Sequence, residues 1–127
     1  MATYLLDTNI IIDVLNEKRN RAALLQALLS EGHLLACCPI NVVEVFAGMR
    51  PKEEPHTEAL LDSLRYFPIT FPIARLAGLL KRDYRKTGKT LNIADATIAA
   101  VAIHHNLPLI TDNVKDFPMK QLQLHTL

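Results

Sequence analysis

Short apolar runs of strand length alternate with longer stretches of helical spacing along this 127-residue chain, and that alternation constrains the fold more than any other feature. The strand-length runs are Tyr4 to Leu6, His33 to Cys37, Tyr66 to Thr70, Leu107 to Thr111 and Leu122 to His125. Between them, the stretch from Asn20 to Ser30 sets Ala23, Leu24, Ala27 and Leu28 on one face, with Gly32 as a stop. Pro39 opens a helix carrying Val42, Val43, Val45 and Phe46 that ends near Gly48 and Pro51. A further helix covers about Pro55 to Leu64, and another runs from Pro72 through Leu76, Leu79 and Leu80 to Gly88. The last starts at Asn92 or Ile93 and stops at Asn106. Parallel strands need crossover connections of this kind, so the pattern predicts an α/β chain with a mainly parallel sheet. No repeat or linker divides residues 1–127, "RPKEEP" at 50–55 reads as a polar turn, and one domain is expected.

Half of the residues are hydrophobic, enough for a core of ordinary size. The formal net charge of +1 argues neither for nor against a polyanionic partner, so any nucleic-acid reading rests on local patches. The chain opens with no leader-like segment and has no apolar run approaching the roughly 18 residues of a membrane span, so a cytoplasmic protein without membrane contact is expected. Cys37 and Cys38 are adjacent, which suits neither a loop-closing disulfide nor a zinc knuckle; they read as small buried residues.

In open parallel sheets the functional crevice lies beyond the carboxyl ends of the strands. Asp7 stands at one such end, in "YLLDTNIII", and Asp112 follows another, "LPLIT". Glu44 is flanked by valines in "NVVEVFAG", and Asp95 sits in the first turn of an alanine-rich helix, "NIADATIAA", with Asn92 as its cap. Each has a plain alternative: Asp7 ends a strand, Glu44 faces solvent, Asp95 complements the helix dipole. Their joint placement at strand ends and helix starts argues for one cleft. Carboxylates gathered there repel one another unless a cation is present, and hard oxygen ligands suit Mg²⁺ or Mn²⁺.

The segments "YLLDTNIIID", "NVVEVFAGMR", "GKTLNIADATIAAVAIHHNLPLIT" and "TDNVKDF", in this order and spacing, resemble the PIN domain, most closely the VapC-type toxins of toxin–antitoxin pairs. The resemblance covers nearly the whole chain. It implies a three-layer α/β/α fold with a central parallel sheet and a Mg²⁺- or Mn²⁺-dependent endoribonuclease. On matching positions Asp7, Glu44 and Asp95 are the implied metal ligands, with Thr8 and Asn9 as polar support for Asp7. In the closing motif Thr111 and Phe117 match, Asn113 stands where some members have aspartate, and Asp116 supplies an acid one turn later. Asp116 is the expected fourth acid, with Thr111, Asp112 and Asn113 as polar support; the direction of Asp112 stays open. The resemblance further implies an RNA substrate, a cognate VapB-like antitoxin and a homodimer, for which Leu60, Leu61 and Leu64 serve equally well as interface or core.

Other features are weaker. "TGKT", residues 87–90, ends like a phosphate-binding loop, but Asp83 replaces its first glycine and a helical pattern precedes it. Arg82, Arg85, Lys86 and Lys89 recur at helical spacing, as an RNA-binding stripe or a solvated face. His104 and His105 are adjacent and so diverge on a helix, unlike paired ligands. An aspartate-dependent phosphotransferase is disfavoured because Asn9 stands where its second acid belongs, and a catalytically inactive PIN-like binding module is the remaining alternative.

Overall fold

In the computed structural model, which describes residues 1–127, successive strand residues face opposite sides of one sheet. Strands β1 (Thr3–Leu6), β2 (Leu34–Cys37), β3 (Arg65–Tyr66), β4 (Leu109–Ile110) and β5 (Leu124–His125) are all parallel, in the order β3-β2-β1-β4-β5. The period of two sends Leu5, Ala36 and Leu109 to one core, and Leu6, Leu35, Cys37 and Ile110 to the other. The first core is closed by α5 (Phe71–Lys86) and α6 (Ile93–His105). The second is closed by α1 (Thr8–Leu15), α2 (Arg21–Ser30), α3 (Pro39–Gly48) and α4 (Glu54–Asp62). The result is the three-layer arrangement expected. Because both faces are covered, the central strands read as continuous apolar runs rather than alternating ones.

Several sequence expectations need correction. The pattern does not announce α1: "NIII" is β-branched and strand-like, yet Asp7 caps it as a helix, and Ile10 and Ile11 pack into the second core. The face expected of α2 is largely solvent-exposed; Arg21 and Leu25 are the buried residues, so the helix is rotated toward the partners of Arg21. The third strand is shorter than expected. Phe67 N–H still donates to Cys37 O, but Pro68 has no N–H with which to continue the ladder. The turn at 50–55 instead holds a 3-10 turn, Pro51–Glu53, that leads directly into α4.

Gly88, with φ +87°, ends α5 rather than binding phosphate. Its N–H donates to Arg85 O and that of Lys89 to Tyr84 O, a Schellman closure that favours glycine in the left-handed region. Cys37 and Cys38 are buried on opposite faces of the sheet, Cys37 with its thiol pushed up to about 11 by burial, as inert packing residues should be. Leu61 belongs to the second core, while Leu60 and Leu64 border an apolar cavity of about 600 Å³ against α2. No helix is long and apolar enough to cross a membrane.

Candidate active site

The chain winds from β1 outward to β3, then returns to place β4 on the other side of β1, so the order reverses between β1 and β4. Such a switch point opens a crevice at the carboxyl ends of both strands. Asp7 stands at this point on one strand and Thr111 on the other, and they touch: Thr111 Oγ1 donates to Asp7 Oδ2 at 2.7 Å. The other oxygen of Asp7 accepts the Thr8 N–H at 2.8 Å as the cap of α1. Thr111 Oγ1 in turn accepts the Asn113 N–H at 2.9 Å. Asp7 is only 5% exposed, and burial raises the pKa of its carboxylate. The Thr111 and Thr8 donors pull it down, while Glu44 and Asp116 push it up.

A second relay of the same form runs through Thr8. Asn41 Nδ2 donates to Thr8 Oγ1 at 3.0 Å, and Thr8 Oγ1 donates to Glu44 Oε1 at 2.7 Å. Asn41 also bonds Leu6 O at 3.1 Å and accepts the Cys38 N–H at 2.8 Å, tying the end of β1 and the starts of α1 and α3 together. This fully buried asparagine is absent from the residues singled out by sequence. Its signal was a polar residue at the third position of a helix opened by Cys38 and Pro39, the reciprocal capping arrangement.

Asp95 enters from the first turn of α6, where Asn92 accepts the N–H groups of Ala94 and Asp95 as the spacing predicts. Asp116 ends the 3-10 turn Val114–Asp116. Together Asp7, Thr8, Asn9, Ile12, Glu44, Asp95, Asn113 and Asp116 line one cleft of about 320 Å³. Four carboxylates and no Lys, Arg or His line it. Burial, then the charges of Asp7, Asp116 and Glu44, push the Asp95 pKa up to about 6.

This all-oxygen donor set fits a hard divalent cation. No three acids converge tightly enough here to hold an ion by direct contact alone. That spacing suits Mg²⁺, which keeps several waters and uses one or two carboxylates. The acids would hold the cation, with Thr8, Thr111 and Asn113 fixing their orientation. When bound, such an ion supplies Lewis-acid stabilisation of phosphodiester charge and a lowered pKa for water.

The raised Asp95 pKa has a stability consequence. Between the ordinary value of 3.8 and about 6 the folded chain holds more protons than the unfolded one. Stability of the metal-free protein therefore falls as pH rises through that window and levels off above it. Discounted for the partial exposure of Asp95, the loss is roughly 1 kcal/mol. Asp95→Asn is accordingly expected to raise the Tm in EDTA at pH 7.5 by about 3 °C and to have little effect at pH 4.5, as followed by circular dichroism.

Asp112 lies outside the cleft, correcting its placement as polar support for the acids: its carboxylate pairs with the guanidinium of Arg21, which also meets Asp13 Oδ2 at 3.4 Å. The basic stripe follows the outer side of α5. Arg82 pairs with Asp83 at 3.0 Å, Arg85 and Lys86 lie exposed in the last turn, and Lys89 Nζ donates to Lys115 O at 2.9 Å, one residue from Asp116. The stripe thus ends at the rim of the acidic cleft. His104 and His105 are exposed, His105 against Phe67. The larger apolar cavity beside α2 contains no acid.

Residues 4–118 match the PIN domain family. Ribonuclease VapC19 of Mycobacterium tuberculosis is 36% identical over 115 residues, covering 91% of this chain and 92% of its own. Among solved structures, VapBC2 of Rickettsia felis bound to a promoter DNA fragment superposes with a TM-score of 0.84 at 24% identity, covering 98% of each chain. A toxin–antitoxin complex from Klebsiella pneumoniae gives 0.75 at 31% identity, over 95% of this chain and 99% of that one. With its doubly wound sheet, the acids at its switch point and these relatives, the chain belongs to the PIN domain family, among its VapC-type members.

Proposed function

We propose that this protein is a Mg²⁺- or Mn²⁺-dependent endoribonuclease and the toxin of a VapBC-like pair. The observation that carries this reading is the delivery of Asp7, Glu44, Asp95 and Asp116 by four separate parts of the chain to one cleft without a compensating cation. Holding like charges together is unfavourable unless an ion binds them, and the ribonuclease named among the relatives supplies the substrate class. In this reading Asp7, Glu44 and Asp95 hold the ion, in part through its own waters, and Asp116 completes the acidic wall, assisting proton transfer at the scissile phosphate. Arg82, Arg85, Lys86 and Lys89 lead the RNA backbone toward the cleft through contacts with its phosphates.

The solved relatives named as VapBC complexes support a VapB-like antitoxin as partner. An acidic cleft without its own cation would accept a basic side chain from such a partner. A homodimer remains part of the reading. Its test is the molar mass by light scattering.

The function is tested by incubating the purified protein with total RNA in Mg²⁺, Mn²⁺ or EDTA and sequencing the 5′ ends produced. A discrete set of new ends in either metal, abolished by EDTA and restored by excess metal, is the expected result. No cleavage in either metal would instead identify a PIN-like binding module that has lost its chemistry.

A further inference from the structure

Segment 111–116 carries three groups of the cleft: Thr111, which orients Asp7, and Asn113 and Asp116, which line it. Like charge on Asp7, Glu44 and Asp95 repels Asp116, so something must hold the segment in place. Its far end is well anchored. Phe117 is 2% exposed, Tyr84 Oη donates to Pro118 O at 3.2 Å, and Lys89 reaches Lys115 O. At its near end Thr111 is tied to Asp7 and to the Asn113 N–H, and the next residue, Asp112, is held by Arg21.

We propose that Arg21 is a positioning residue for the acidic cleft, its buried guanidinium clamping Asp112 and thereby fixing the segment that aligns Asp7 and presents Asp116. The Arg21 side chain is 6% exposed at the first position of α2, and it bridges Asp13 of α1 and Asp112 of the segment after β4. One permanent positive charge thus joins α1, α2 and the cleft wall from behind, outside the cleft itself. A guanidinium suits this place because it cannot be deprotonated and its planar fork serves two carboxylates at once. The inference rests on the nuclease reading for its catalytic consequence, whereas the clamp itself is a property of the fold.

The test works from the Asp112 side. Removing Arg21 would leave the buried Asp13 carboxylate with only the exposed Arg19, 3.2 Å away, and so disturb α1 as well as the segment. Asp112, with a side chain 36% exposed, can be lost while Arg21 keeps Asp13. In Asp112→Ala, amide hydrogen exchange at Asn113 and Asp116 is expected to accelerate about tenfold or more while β1 and α6 keep their protection. Mn²⁺ affinity should weaken severalfold. RNA cleavage should show kcat reduced about tenfold with KM unchanged, as for misplaced groups with intact substrate binding. Asp112→Glu, which keeps the charge, should recover part of each effect.

Unchanged exchange at Asn113 and Asp116 would overturn the proposal, as would uniform acceleration across the fold with a matching fall in Tm. If the wild type cleaves no RNA yet the variant shows the local acceleration, the clamp stands and the nuclease reading falls.

Discussion

Asp7→Asn is expected to lower metal-dependent RNA cleavage by about 10³-fold or more, on the order of 4 kcal/mol of transition-state stabilisation, while leaving the fold intact. Both oxygens of Asp7 now accept hydrogen bonds, from Thr8 N–H and from Thr111 Oγ1. An asparagine is isosteric: its Oδ1 can keep the Thr8 N–H and its Nδ2 can donate to Thr111 Oγ1, whose hydroxyl proton then loses its acceptor, at a cost of about 1 kcal/mol. Against that cost, the substitution removes a buried charge whose pKa burial already raises, so the two effects oppose each other in stability. The Tm of the metal-free variant should therefore stay within a few degrees of wild type at pH 7.5. Activity has no such compensation, because the lost charge is the most buried of the four acids in the cleft. Retention of full cleavage by this variant, with the fold confirmed by circular dichroism, would remove Asp7 from the metal-binding role.

The second large effect concerns Asn41. Replacing it by alanine leaves the Cys38 N–H without its partner and takes one bond each from Leu6 O and from Thr8 Oγ1, which still donates to Glu44, all inside a buried site. Orphaned buried polar groups cost about 1–3 kcal/mol each, and relaxation offsets part of the sum, so about 3 kcal/mol of stability should be lost. For a chain of this size the Tm would fall by about 10 °C. Urea unfolding should show the same loss at an unchanged m-value. Asn9 provides the contrast, since it is exposed in the first turn of α1, two residues after Asp7. Asn9→Ala should shift the Tm by no more than about 1 °C, the behaviour of surface positions without special contacts.

How far the chain could be read in advance depended on whether a residue's role was local. Asp7 and Asp95 were legible because strand ends and helix starts leave marks within a few residues: an apolar run before Asp7, and Asn92 three positions before Asp95. The five strand positions followed from apolar runs, although Pro68 cut the third short. Arg21 was not legible. In "KRNRAAL" it reads as one more surface cation, and only the docking of α2 against Asp13 and Asp112 buries it. The same docking explains why the exposed face of α2 was assigned to the core: apolar residues nearly surround that helix, so periodicity could not choose its rotation. Asp112 and Asp116 were indistinguishable by type. The turn after β4 decides between them, sending Asp112 to Arg21 and Asp116 into the cleft.

The pairing of β1 with β4 joins Asp7 to Thr111 across 104 positions of sequence. During synthesis, the first acid therefore lacks its orienting hydroxyl, and the fourth acid is missing altogether, until residues 111–116 have left the ribosome. Partial translation products would carry Asp7 and Glu44 without a finished cleft. On the proposed nuclease reading, unfinished copies would therefore stay inactive because of the order in which the strands are laid down.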